Sequence, residues 1–228
     1  MTFPSLFVGY LILVAIGAAG AAARWLSGRA RLATLALLTA WLVYAAVLGV
    51  TGVVARTNQM PPGIALLTVP VILTLLALTL TRPGATLARQ IPLRLLLGFQ
   101  VFRIGVELSL HHLWSLGLAP RILTLEGGNI EMLVAVTAPI AAWLAPYQPT
   151  GRRIAWAWNL VGLLSLGNVV ARAVLSAPGP FQIIHAEVPD LAILTWPFTF
   201  VPGFMAPLAL ALHILAFRAL GTSRDAGR

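Results

Sequence analysis

The chain has 228 residues, 59% of them hydrophobic and 9% charged, with a formal net charge of +9. A soluble domain carries about 25% charged residues, so this supply cannot build a solvated surface, and lipid is the natural solvent. The absence of cysteine excludes disulfides and thiolate metal sites. The absence of lysine excludes lysine Schiff bases, a retinal cofactor included.

Seven apolar runs are long enough to be read as membrane spans, which need about 20 residues each. In chain order they are 5–23, 32–55, 63–80, 92–118, 131–146, 154–176 and 191–217, predicting an all-α bundle of seven helices in one domain, 1–228. No positive charge precedes the first run, so it is read as a span and not as a cleaved signal. Pro61-Pro62 and Pro92 suit first helical turns, Asn129 can cap the fifth span and Asp190 the seventh, and Gly221 suits a C-terminal stop. Trp114 and Trp196 mark one interface; Trp25, Trp143, Trp156 and Trp158 mark the other.

The arginines give the orientation. Eleven fall on one side, at Arg24, Arg29, Arg31, Arg82, Arg89, Arg94, Arg152, Arg153, Arg218, Arg224 and Arg228, while Arg56 and Arg121 fall on the other. The positive-inside rule puts the first side in the cytoplasm, the N-terminus outside and the C-terminus inside. The same rule accounts for the net charge without nucleic acid, whose recognition needs a basic face. Arginine in place of lysine and an alanine-rich composition point to a GC-rich bacterial genome, and the expected location is the bacterial inner membrane. The acids Glu126, Glu131, Glu187 and Asp190 gather at the outer side.

In the fourth span, Gln100, Arg103, Glu107 and His111 recur at intervals of three, four and four, which places them on one helical face. At 1.5 Å per residue, Arg103 lies roughly 13 Å in from Arg94 and His111 roughly 25 Å; His112 points about 100° away. Ionisable groups at membrane depth mark ligand, ion or proton sites. A structural ion pair between Arg103 and Glu107 is the alternative.

On the sixth span, Asn168 and Arg172 share a face at the depth of Glu107 and His111. They would complete an outward polar cavity, unless Arg172 snorkels to the headgroups. Asn159, lower down, suits helix–helix attachment. The seventh run carries Pro197, Pro202, Gly203 and Pro207, which predicts a break or kink. The turn from Thr124 to Glu131 brings Glu126 and Glu131 to the mouth of the stripe, with His185 and Glu187 nearby. Alternatively, Glu131 only complements the dipole of the fifth helix.

The run Phe102-Arg103 through Glu107-Leu108, then Thr124-Leu125-Glu126-Gly127, Asn129 and Thr137-Ala138-Pro139, resembles a pattern in uncharacterised bacterial seven-span inner-membrane proteins. The resemblance covers about forty residues and implies a fold and an outer site, without a reaction.

Four functions compete. The first is binding or transport of a small polar or anionic solute by Gln100, Arg103, Glu107, His111, Asn168 and Arg172, with Glu126 and Glu131 at the mouth. Here the two arginines supply the charge complement and the broken seventh helix gates. The second is a membrane-embedded zinc enzyme acting at the outer face, with ligands drawn from Glu107, His111, His112 and His185. The third, a bis-histidine haem carrier, is disfavoured by the different depths of His213 and His111. The fourth is a structural subunit, in which Gly17, Gly20, Ala21, Ala45 and Gly49 allow close helix approach within the chain, in an oligomer or to a membrane partner.

Overall fold

The computed structural model describes residues 2–147, 149–179 and 181–225, with side chains up to residue 221. Arg228 lies outside the described residues, as do the side chains of Arg224 and Asp225. All regular structure among the described residues is helical.

Two long helices open the chain, α1 (Phe3–Trp25) and α2 (Gly28–Val50). Pro4 sits in the first turn of α1, where a missing N–H breaks no helical bond. α3 (Ala65–Leu80) then turns by 75° into α4 (Arg82–Gln90). Thr81 at the bend is extended, and Pro83 in the first turn of α4 suits a restart better than a continuation. Gly84 lies against the Leu78 backbone, so closely that no side chain fits there.

The fourth apolar run is not one uniform helix. α5 (Leu93–Gly98) passes through a 3-10 segment, Phe99–Phe102, into α6 (Arg103–Ser115). A 3-10 segment turns every three residues instead of every 3.6, so it shifts the phase of the polar stripe just below Arg103. α7 (Glu131–Leu144) and α8 (Thr150–Ser176) follow.

The seventh run breaks where its prolines cluster. After a 3-10 turn at Ala192–Leu194, a π-turn at Val201–Met205 leads into α9 (Ala206–Asp225). Residues 195–199 form no regular helix, and Pro202 and Pro207 both fall at the start of the rod. Asp190 therefore caps nothing: the helix begins only at Val201, and neither carboxylate oxygen has a hydrogen-bond partner.

Among the described residues, four helical stretches are long and apolar enough to cross a membrane: α1, α2, α8 and Val201–Gly221. The bent pair α3–α4 makes a fifth if it counts as one span. α7, with 14 residues, is about 21 Å long and falls short of the roughly 30 Å hydrocarbon layer.

α9 is the central rod, packed against α3, α4, α5 and α8, while α7 packs on α5, α6 and α8. Met205, Ala209, His213 and Ala216 on this rod are buried. α1 and α2 join from the side. Phe7 packs on Phe198 with ring centroids 4.9 Å apart, the Tyr10 hydroxyl donates to the Phe102 carbonyl, and the Trp41 indole N–H donates to the Gly203 carbonyl at 2.6 Å. Gly17 faces Phe99, and Gly49 faces Thr199 and Trp196, so these two glycines serve packing within the chain.

Candidate functional site

The 3-10 segment and the first turns of α6 carry three polar side chains into the interior: Gln100, Arg103 and Glu107 are all buried. Each is met by a group from a helix or loop distant in sequence. Gln100 Nε2 donates to the Ala209 carbonyl of α9 at 3.0 Å. Arg103 Nη2 forms an ion pair with Glu131 Oε2, and its Nη1 lies 3.2 Å from His213 Nε2.

An arginine has only donors, so His213 Nε2 must accept. The ring proton then sits on Nδ1 and is donated to Asn159 Oδ1 at 2.7 Å. Asn159 Nδ2 donates in turn to the His213 carbonyl at 3.0 Å. His213 is thereby held as the neutral Nδ1–H tautomer. Gly162 leaves room for the ring: a Cβ there would stand 2.5 Å from His213 Cε1.

Asn129 binds the acidic half. Its Oδ1 accepts the Glu131 N–H at 3.0 Å, so it holds the first N–H of α7 although the N-cap position itself is Ile130 and not the expected Asn129. Its Nδ2 donates to Glu107 Oε2 at 2.8 Å and to the Leu123 carbonyl at 2.9 Å. Glu131, in the first turn of α7, both complements the helix dipole and neutralises Arg103.

Other predicted site residues lie elsewhere. His111 emerges at the exposed end of α6, where Nδ1 meets Glu126 Oε1 at 3.1 Å. Glu126 is held below the usual carboxylate range first by a backbone N–H bond, then by the Thr124 hydroxyl and His111. His112 is tilted against Phe3, ring centroids 4.1 Å apart, and His185 is exposed. The proposed zinc set of Glu107, His111, His112 and His185 is therefore not gathered. Among the described residues no group of three or more His, Asp or Glu stands where it could hold a metal ion.

Asn168 is exposed on α8, and Arg172 donates to the carbonyls of Ile122 at 3.3 Å and Gly127 at 2.9 Å. Arg172 pins the 121–128 loop and does not line a cavity with Arg103. Position along a helix does not fix the direction in which a side chain points. On the same side, Glu187 Oε1 accepts the Arg121 N–H at 2.5 Å, and this bond lowers its pKa.

A cavity of about 700 Å³ opens between α3 and α8, with α9 and its π-turn as the floor. Its walls are almost wholly apolar, including Val69, Ile72, Leu166, Val170 and Met205. Four charged residues reach it: Arg103, Glu107, Glu131 and Asp190. Asp190 is fully buried, and burial pushes its carboxyl up to about 7. Its two oxygens and Glu131 Oε1 have no hydrogen-bond partner.

Sequence reasoning therefore found Arg103, Glu107, Glu131 and the Asn159 attachment. It missed His213 as the partner of Arg103 and gave Asp190 only a capping role. The available signal for Asp190 was an acid placed directly before an apolar run with no helix start of its own.

Residues 61–221 match the family described as Domain of unknown function (DUF8737), and the chain belongs to that family. The matched segment contains every member of the buried network and omits α1 and α2. No curated protein and no solved structure matches the chain.

Proposed function

We propose that this family member is a seven-span inner-membrane protein, N-terminus outside, whose cavity takes a small amphipathic molecule from the outer leaflet. The seven apolar runs and the arginine asymmetry support the topology. On that orientation the cavity lies toward the outer surface, since its lining comes from the start of α3, the end of α8 and the loops beside them.

The observation that carries the binding reading is a cavity of about 700 Å³ with apolar walls and a few charged groups. This size and make-up are typical of small-molecule sites, which span roughly 300–1,000 Å³ and use a few polar groups to orient the ligand. The expected purely polar or anionic solute fits less well. The walls offer it few partners, and both terminal nitrogens of Arg103 are engaged by Glu131 and His213. Transport is a second reading, favoured by the π-turn at Val201–Met205 in the cavity floor, since π-turns are frequent at functional sites.

Thermal stabilisation of the full chain in phosphatidylcholine nanodiscs by dodecanol tests the reading, because a ligand that binds only the folded state raises its melting temperature. Ala173→Phe, which fills the cavity from α8, is expected to abolish the shift. An equal shift in that variant would refute binding at this cavity. Single cysteines at Asn58 and Arg89 in the cysteine-free chain test the topology. An impermeant maleimide should label the first in intact cells and the second only after permeabilisation.

A further inference from the structure

We propose that the polar end of the ligand is a hydrogen-bond-donating cation, an ammonium group seated against Asp190. This inference deepens the amphiphile reading and rests on it. Its basis is an imbalance of donors and acceptors in the cavity.

Three carboxylates and one guanidinium reach the cavity. The guanidinium charge is already paired within the protein. Arg103 Nη2 pairs with Glu131 and Nη1 serves His213, so arginine charge is not left over for an incoming anion. Glu107 receives the amide of Asn129. What remains is acceptor: Glu131 Oε1 and both oxygens of Asp190, all buried and unpartnered.

A buried carboxylate without donors is costly unless a partner supplies them. Asp190 gains nothing from the fold in return, since it neither caps a helix nor pairs with a cation among the described residues. An alkyl carboxylate or sulfate would add more unpaired acceptors to this end. A hydroxyl brings one donor, whereas an ammonium brings three together with the opposite charge. The apolar walls around Ile193, Leu194 and Val170 take the alkyl chain. The occupant that fits is therefore an alkylammonium amphiphile drawn from the membrane.

The test uses the full chain in phosphatidylcholine nanodiscs with four probes: dodecylammonium, dodecanol, dodecanoate and ethanolamine. Affinities are read from melting shifts over a concentration series. Dodecylammonium is expected to bind about ten- to hundredfold more tightly than dodecanol, the range for one charge-assisted hydrogen-bonded partner, and dodecanoate not to bind. Asp190→Asn breaks no hydrogen bond present in the fold, so the variant is expected to fold. It should lose the ammonium preference, so that dodecylammonium binds no more tightly than dodecanol does to the same variant.

Equal affinities for dodecylammonium and dodecanol, or an ammonium preference that survives Asp190→Asn, would overturn the inference and leave the cavity reading standing. Protection by ethanolamine equal to that by dodecylammonium would identify a soluble amine and overturn the membrane amphiphile. Failure of all four probes would remove the cavity reading and this inference together.

Discussion

Asn129 offers the sharpest test of the buried network, because one small side chain serves three partners. Its amide nitrogen donates to Glu107 Oε2 at 2.8 Å and to the Leu123 carbonyl at 2.9 Å, and its oxygen accepts the Glu131 N–H at 3.0 Å. Replacement by alanine removes a charge-assisted bond, at about 1.5–3 kcal/mol, and two neutral ones at about 1 kcal/mol each. The expected loss is therefore on the order of 3–5 kcal/mol.

Asn129→Asp is nearly isosteric and keeps the acceptor for the Glu131 N–H. It should nevertheless be at least as damaging as alanine, because it sets one carboxylate against another within hydrogen-bond reach. Adding Glu107→Gln to Asn129→Asp reverses donor and acceptor across the same gap and should recover most of the loss. The assay is equilibrium unfolding of the four proteins in mixed micelles. Asn129→Asp as stable as the wild type, or no recovery in the double variant, would show that Glu107 and Asn129 do not meet.

Gly162→Ala puts a methyl group 2.5 Å from His213 Cε1 and 3.0 Å from Val134 Cγ1. Overpacking of this kind should cost about 1–3 kcal/mol in the same unfolding assay, and a neutral result would displace His213 from this face of α8. The carboxyl of Asp190 titrates near 7 in the fold against 3.8 ordinarily. Between those values the folded state binds more protons than the unfolded state, so this group's contribution to stability falls as pH rises from about 4 to about 7 and is level above. Arg103, Glu107 and Glu131 share the cavity, so the term is isolated by comparing melting curves of the wild type and Asp190→Asn across that range. The variant should lack this decline, and parallel curves would refute the burial argument. Arg172→Leu removes two bonds to loop carbonyls, so amide exchange in residues 121–128 should quicken while that of α8 is unchanged. Unaltered loop protection would show that Arg172 is not its anchor.

Much of the local chemistry was legible before any contact was known. Intervals of three and four put Gln100, Arg103 and Glu107 on one face, and all three are buried. The same periodicity fails at His111 because α6 has reached its exposed end there, a tertiary fact that spacing does not carry. Asn159 reads correctly as an attachment between helices, since an amide inside an apolar helix needs a partner on another one. Asn168 and Arg172 illustrate the opposite case. Rise per residue gives height along a helix, but the direction around its axis depends on which neighbours α8 meets.

Composition and pattern alone determined that the chain is helical, that its solvent is lipid, and that the last apolar run breaks or kinks at its prolines. These follow from local physics, because backbone hydrogen bonding, proline geometry and transfer into hydrocarbon act over a few residues. Only the tertiary structure decided that Arg103 pairs with Glu131 and leans on His213, that Asn129 joins the Glu107 carboxylate to the Glu131 backbone, and that Asp190 stands unpartnered in a greasy cavity. Such pairings join groups tens of residues apart in the chain, and the packing of whole helices selects among many partners that the sequence would equally allow.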